Sequence, residues 1–221
     1  MDKRIEMIKV RMEMELSCSA HNIDHVMRVY NLCKLIAETE EDVDMNILEP
    51  AALLHDIARS IESEDTSGNL DHAVLGSMMA VGILEELDYN QDEIKQIQHC
   101  ILTHRFRTGN IPQTIEAKIL FDSDKLDVIG SVGISRTFML AGQFGQRITK
   151  NLPDEYTKTN TVENGRLKDV SKHSPMMEYE YKFKNIPSKL FTRKGKELGN
   201  SRLAYMKDFF ERLEKEVKGE L

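Results

Sequence analysis

Apolar positions recur along this chain at helical spacing almost without interruption. Val26, Val29, Leu32, Cys33 and Ile36 form one stripe, in the steps of three and four residues that share a helix face. Leu48, Ala51, Ala52 and Leu54 form a second, with Asp44 ahead of it as an N-cap. Leu75, Met79, Ile83 and Leu87 form a third behind Asp71, and Ile94, Ile97 and Ile101 a fourth. From Ile115 to about Leu140 the chain is apolar on more than one side, which predicts a central buried helix with a break near Gly130 and Gly133. A last amphipathic helix is predicted from about Leu203 to Val217, and strand-like alternation is confined to Tyr179, Tyr181 and Phe183. The polar segment 151–174, with Pro153, Gly165 and Pro175 in or beside it, reads as a mobile loop. The pattern predicts an all-α fold. It is read as a single helical-bundle domain over 1–221, with its core at about 20–145 and a loop-rich C-terminal extension at about 146–221.

Several polar residues break these stripes, and they carry the candidate chemistry. At about 100° per residue, His25 falls at the centre of the Val29, Leu32, Ile36 face. His55 lies on the Leu48, Ala52 side of its helix, with Asp56 beside it. Asp124 sits among Ala117, Leu120, Phe121 and Val128. A lone histidine on an apolar face is ordinarily satisfied by a carbonyl, but buried charges are paired or bind metals. Two histidines and two aspartates pointing inward from three helices therefore suggest a divalent first-row ion in roughly octahedral geometry. Four protein ligands would leave about two positions for water and substrate, as in a catalytic site.

Composition narrows the classes without changing that picture. With 221 residues, 40% hydrophobic and 30% charged, the chain falls in the soluble globular range. Its net charge of -7 argues against a protein built to coat nucleic acid or an anionic membrane. No apolar run approaches the ~18 residues of a membrane span, and the start MDKRIEMIKV lacks a signal peptide's apolar centre. The three cysteines, Cys18, Cys33 and Cys100, form no CxxC pair, so neither a disulfide framework nor a thiolate zinc site is indicated. A cytoplasmic protein is expected.

The order His25, His55-Asp56, Asp124 resembles the H…HD…D signature of the HD superfamily of metal-dependent phosphohydrolases. The contexts HNIDHVMRV, AALLHDIAR and DSDKLDVIGSVGISRTF match as well. The tail KLFTRKGKELGNSRLAYMKDFFERLEKE is similar to the end of the small bacterial and archaeal branch typified by YedJ and YpgQ. The resemblance implies a single HD-domain helical bundle with His25, His55, Asp56 and Asp124 as metal ligands. It gives Asp56 a further part in orienting the attacking water or bridging a second ion. Lys125 matches a position that contacts substrate phosphate in nucleotide-hydrolysing relatives, where a cation suits the charge on a phosphoryl group. Mn²⁺ is the expected ion, with Mg²⁺, Co²⁺, Ni²⁺, Fe²⁺ or Zn²⁺ as alternatives.

Further histidines extend the site. His72 opens the third helix on the face of Leu75, Gly76, Met79 and Ile83, and HAVLG is similar to the HxxxG element of two-metal members. His104 shares the face of Ile97 and Ile101, whereas His99 falls opposite that stripe, towards solvent. His72 and His104 are read either as ligands of a second ion bridged by Asp56, or as phosphate-binding groups, or as structural. His21 is placed as a cap or support for the His25 helix, and Asp24 and Asp127 as groups that orient ligand histidines. Arg105 abuts His104 and is the best-placed guanidinium for phosphate oxygens. Arg28, Arg59 and Arg136 lie near the motifs, and Lys189, Arg193, Lys194 and Lys196 form a later cluster able to close over a polyphosphate.

The expected activity is metal-assisted hydrolysis of a nucleotide, with a lean towards a nucleoside triphosphate releasing phosphate or pyrophosphate. In it Asp56, His72, His104 and Lys125 are the catalytic candidates, and Lys125, Arg105, His72 and His104 the substrate-binding ones. The alternatives are a 5'-nucleotidase-type phosphomonoesterase, a di-iron HD oxygenase, and a non-catalytic regulatory HD module. The expected partner is a small phosphorylated substrate, with no nucleic-acid polymer and no membrane; the assembly is left open, a homodimer included.

Overall fold

The computed structural model describes residues 3–16, 22–67, 69–105, 109–149 and 169–221. Every regular element among them is helical, so the all-α fold holds. The helices are α1 (Lys3–Leu16), α2 (Asn22–Ala37), α3 (Met45–Leu54), α4 (Arg59–Glu64), α5 (His72–Glu86), α6 (Gln91–Thr103), α7 (Ile115–Asp127), α8 (Gly130–Gln143), α9 (Pro175–Tyr181) and α10 (Arg193–Lys218). Single 3₁₀ turns occupy Val170–Lys172, Phe183–Asn185 and Pro187–Lys189. The chain divides into two compact units: Met1–Asp124 with Phe191–Gly195, and Lys125–Leu190 with Lys196–Leu221.

In the first unit α5 packs along α6, α3 lies against α2 and α6, and α1 covers α3. The starts are fixed by side chains that accept otherwise unpaired backbone N–H groups. Asp44 accepts from Asn46 N ahead of α3, and Asp71 accepts from Ala73 N and Val74 N ahead of α5. Asn90 and Glu93 close a reciprocal capping box on α6. The stripes read from sequence on α2, α3 and α6 are buried. On α5 the buried face is rotated from the expected one. Leu75 and Met79 are half-buried, and His72, Ala73, Gly76, Ser77, Ala80, Ile83 and Leu84 face inward. Small residues on that face let α5 and α6 approach closely. Helix α1 was not anticipated, although Ile5, Ile8, Met12 and Leu16 carry the spacing and are buried.

The expected break near Gly130 separates α7 from α8. Gly130 has φ +79, where a side chain is strained, and a Cβ at Gly133 would run into the Val128 carbonyl oxygen. Arg202 lies along Gly130 and donates to Leu126 O across the break. The weak strand signal at Tyr179, Tyr181 and Phe183 is overturned. Ser174 accepts from Met177 N and Pro175 enters the first turn, so the segment starts as a helix. Tyr179 and Phe183 are buried while Tyr181 is exposed, a pattern a helix also produces, because positions four apart share its face. Tyr179 stacks on Phe210 with ring centroids 4.7 Å apart. Helix α10 begins ten residues before the expected Leu203, because Thr192 Oγ1 accepts from Gly195 N and caps it. Cys18, His21 and residues 151–168 of the expected loop lie outside the described residues. No helix among those described is long and apolar enough to cross a membrane.

Candidate metal centre

Five side chains of the first unit meet in one buried cluster. His25 comes from α2, His55 caps the end of α3, and Asp56 follows in the turn. His72 is the first residue of α5, and His104 caps the end of α6. Helix ends explain how neighbours in sequence share a site. Within a helix His55 and Asp56 would diverge by about 100°; where α3 stops, the chain turns and both face the same point.

Asp56 lies at the centre. Its Oδ2 is 3.5 Å from His25 Nε2 and 3.9 Å from His55 Nε2. Its Oδ1 is 3.2 Å from His72 Nε2 and 3.6 Å from His104 Nε2. His25 Nε2 also lies 3.3 Å from Asp124 Oδ1 on α7. Two trios of candidate ligands thus share one carboxylate: His25, His55, Asp56 and Asp56, His72, His104, with the ligand atoms of each within 4.8 Å of one another.

The outer ring nitrogens define which atoms face inward. His55 Nδ1–H donates to Ala52 O at 2.7 Å, and His104 Nδ1–H donates to Ile101 O at 2.6 Å. Both histidines therefore use one local device. A residue closing a helix bonds the carbonyl three residues back, which satisfies an orphan acceptor of the last turn and turns Nε2 outward. A carbonyl only accepts, so Nδ1 carries the proton and Nε2 presents its lone pair. Burial pushes the His55 pKa down to about 4, so this ring is neutral near pH 7. His72 Nδ1 lies 2.8 Å from Glu62 Oε2, leaving its Nε2 to the cluster.

Burial opposes ionisation of Asp56, but His55, His104 and His72 together hold its pKa well below the usual carboxylate range. Burial likewise disfavours a charged His72, but its hydrogen bonds to the Asp56 and Glu62 carboxylates outweigh this, so its pKa is raised. The Nε2 atoms of His72 and His104 approach to 3.2 Å, and those of His25 and His55 to 3.4 Å. Nitrogen lone pairs this close require positive charge between them, a proton or a cation. Buried imidazoles around an ionised carboxylate are a donor set that could hold a divalent metal ion.

Glu62, on the short helix α4, escaped the sequence reading. Besides His72 Nδ1 it accepts from Arg59 Nη1 at 2.7 Å and Arg105 Nη1 at 2.7 Å, and Arg105 Nη1 is also 2.8 Å from Asp71 Oδ2. Against the cost of burial, His72, Arg59 and Arg105 lower the Glu62 pKa to about 2. The expected guanidinium for phosphate is thus bound to two carboxylates. Asp24 is exposed and Asp127 pairs with Arg136 at 2.7 Å, while Ala52 O, Ile101 O and Glu62 lie against the outer nitrogens of His55, His104 and His72. His99 is half-buried rather than turned to solvent, and its Nε2 accepts from Gln113 N at 3.0 Å. Lys125 is half-buried, directly after Asp124. Arg193 and Lys196 are exposed.

Asp122 is a second surprise, fully buried two residues before Asp124. It accepts from Phe191 N at 2.9 Å, Thr192 N at 2.7 Å and Thr192 Oγ1 at 2.6 Å, clipping the 191–195 segment to α7. A Cβ at Gly195 would collide with its Oδ2.

Residues 22–129, which contain the whole cluster, match the sequence model of the HD domain family. The chain contains an HD domain. The chain is similar in sequence to YpgQ of Bacillus subtilis, 29% identical over 202 residues, which is 91% of this chain and 86% of YpgQ. An HD-superfamily hydrolase from Bacillus thuringiensis has the same fold, with a TM-score of 0.72 and 26% identity over 98% of this chain and 97% of that one. YpgQ has been solved in complex with ADP; that structure matches with a TM-score of 0.69 and 25% identity over 97% of this chain and 95% of its own. The 3'-5' exoribonuclease YhaM of Bacillus subtilis is 31% identical over 115 residues, but that is only 47% of this chain and 37% of YhaM.

Proposed function

We propose that this HD protein is a metal-dependent phosphohydrolase acting on a nucleotide. The observation that carries the reading is Asp56, which turns one oxygen to His25 and His55 and the other to His72 and His104. We assign His25, His55, Asp56 and Asp124 to one divalent ion, and Asp56, His72 and His104 to a second. The mixed nitrogen and oxygen donors favour Mn²⁺ or a neighbouring first-row ion over Ca²⁺. An ion held there would acidify a water and polarise a phosphoryl oxygen.

The chain's own residues complete the assignment. His72 and His104 each commit Nδ1 elsewhere and keep a single Nε2. One nitrogen serves an ion or a phosphate oxygen, and its distance from Asp56 supports ligation. Arg105 spends charge on Glu62 and Asp71, which weakens its candidacy for phosphate. Lys125 keeps the role of phosphate-contacting cation, on its place after Asp124 and the family pattern. Asp56, ionised and buried, is the group placed to orient the attacking water.

ADP in the YpgQ complex supports a nucleotide substrate, and we lean towards a triphosphate. The test is a hydrolysis screen of nucleoside mono-, di- and triphosphates, sugar phosphates and an oligoribonucleotide with Mn²⁺, Mg²⁺, Co²⁺ and Ni²⁺. Phosphate and pyrophosphate are quantified separately. Turnover with redox-inert Mg²⁺ or Mn²⁺ is expected and excludes the di-iron oxygenase. Turnover confined to monophosphates would replace the triphosphate reading with a 5'-nucleotidase. No turnover on any compound with any ion would leave the regulatory module.

A further inference from the structure

We infer that Glu62 is the positioning residue of the second half-site: its carboxylate receives His72 Nδ1–H and is itself held by Arg105 and Arg59. The inference rests on the two-ion reading above. Glu62 touches neither Asp56 nor the facing nitrogens in any recorded contact; it acts through His72. A histidine that binds an ion through Nε2 needs its other nitrogen protonated and its ring fixed, and a carboxylate behind it does both. His72 opens α5 and so lacks the preceding helical turn whose carbonyls hold His55 and His104. Glu62, ten residues earlier, replaces that missing acceptor.

The geometry shows a supported part rather than a passing contact. Glu62 Oε2 takes His72 Nδ1–H at 2.8 Å and Arg59 Nη1, which itself lies 3.0 Å from His72 Nδ1, while Oε1 takes Arg105 Nη1 and lies 3.4 Å from His72 N. Arg105 also reaches Asp71, the cap of α5. The same guanidinium therefore anchors both the carboxylate behind His72 and the residue that starts the His72 helix. Arg105, expected at substrate phosphate, is assigned instead to holding Glu62.

The test uses the full chain as Glu62→Ala and Glu62→Gln beside the unaltered protein, with Mn²⁺ titrated and melting curves recorded. The unaltered protein is expected to bind two ions. Glu62→Ala should weaken the second about 10- to 100-fold and leave the first unchanged. Glu62→Gln, whose amide oxygen still accepts the Nδ1 proton, should recover part of that loss. In the metal-free protein the downfield His72 Nδ1–H proton resonance should vanish in Glu62→Ala, a readout independent of activity. Equal second-ion affinity in all three proteins, with that resonance unmoved, overturns the inference while the two-ion reading stands. A loss of both ions in step with a lowered melting temperature also overturns it, since Glu62 would then only support the fold. A single ion in the unaltered protein overturns the two-ion reading, and this inference with it.

Discussion

The two halves of the histidine cluster are built from matching parts but balance charge differently. Each has a histidine that ends a helix and bonds the carbonyl three residues back, His55 on α3 and His104 on α6. Each has a second histidine facing Asp56, His25 or His72. In the first half the extra carboxylate, Asp124, stands among the facing atoms, 3.3 Å from His25 Nε2. In the second it stands one layer back as Glu62, behind His72 and already partnered by two arginines. A carboxylate in direct reach of an ion attracts it far more than one screened by two guanidinium groups. The first half is therefore expected to hold its ion tightly and the second to exchange it.

Asp56 belongs to both halves, so its loss has the largest expected effect. Asp56→Ala should lower turnover by at least about 10³-fold while the fold persists, read from steady-state rates and melting curves on the same sample. Residual activity within tenfold would show that the halves do not depend on a shared carboxylate.

Removing the ions comes next. Chelation should abolish turnover, and Mn²⁺ should restore it better than Ca²⁺. Partial chelation sharpens the comparison: the second ion should leave first, giving inactive protein with one ion bound, measured by metal analysis after gel filtration. Full activity in excess chelator would end the metal assignment.

His104→Ala should lower turnover about 10²-fold and remove one ion rather than two. Loss of both ions would mean that the halves form one inseparable site. The smallest effect is expected at His99, outside both halves. His99→Ala removes the acceptor for Gln113 N and should cost about 1 kcal/mol of stability. Turnover per folded molecule should be unchanged, and a deficit like that of Asp56→Ala would extend the site across α6.

The legible part of this site was the part written in helical periodicity. His25, His55, His72 and His104 interrupt apolar stripes, and a histidine among buried aliphatic residues is visible without a structure. The helices themselves were legible for the same reason, and α1 carried that signal too in Ile5, Ile8, Met12 and Leu16. Glu62 was not legible, because α4 has six residues, none of them fully buried, and an Arg59–Glu62 pair three apart is ordinary on an exposed helix. Its meaning comes from His72 and Arg105, ten and forty-three residues away. Asp122 was hidden by its surroundings. Helix α7 is buried on several sides, so periodicity cannot rank Asp122 against Asp124, and the donors that satisfy it lie about seventy residues later. The strand signal at Tyr179 failed because alternation over five residues is also compatible with one helix face.

The Asp122 clip has a consequence for the order in which the protein is made. The chain leaves the ribosome from its N-terminus, and domains fold as their segments arrive. Every histidine of the cluster, and Asp124, precedes residue 130, yet the donors of Phe191 and Thr192 that Asp122 accepts from follow about 70 residues after it. Burying a carboxylate without donors is costly, so this stretch of α7 is fully satisfied only once the 191–195 segment has been made. The cluster is thus encoded early, whereas the helix that carries Asp124 is pinned late, by a contact between residues 70 positions apart.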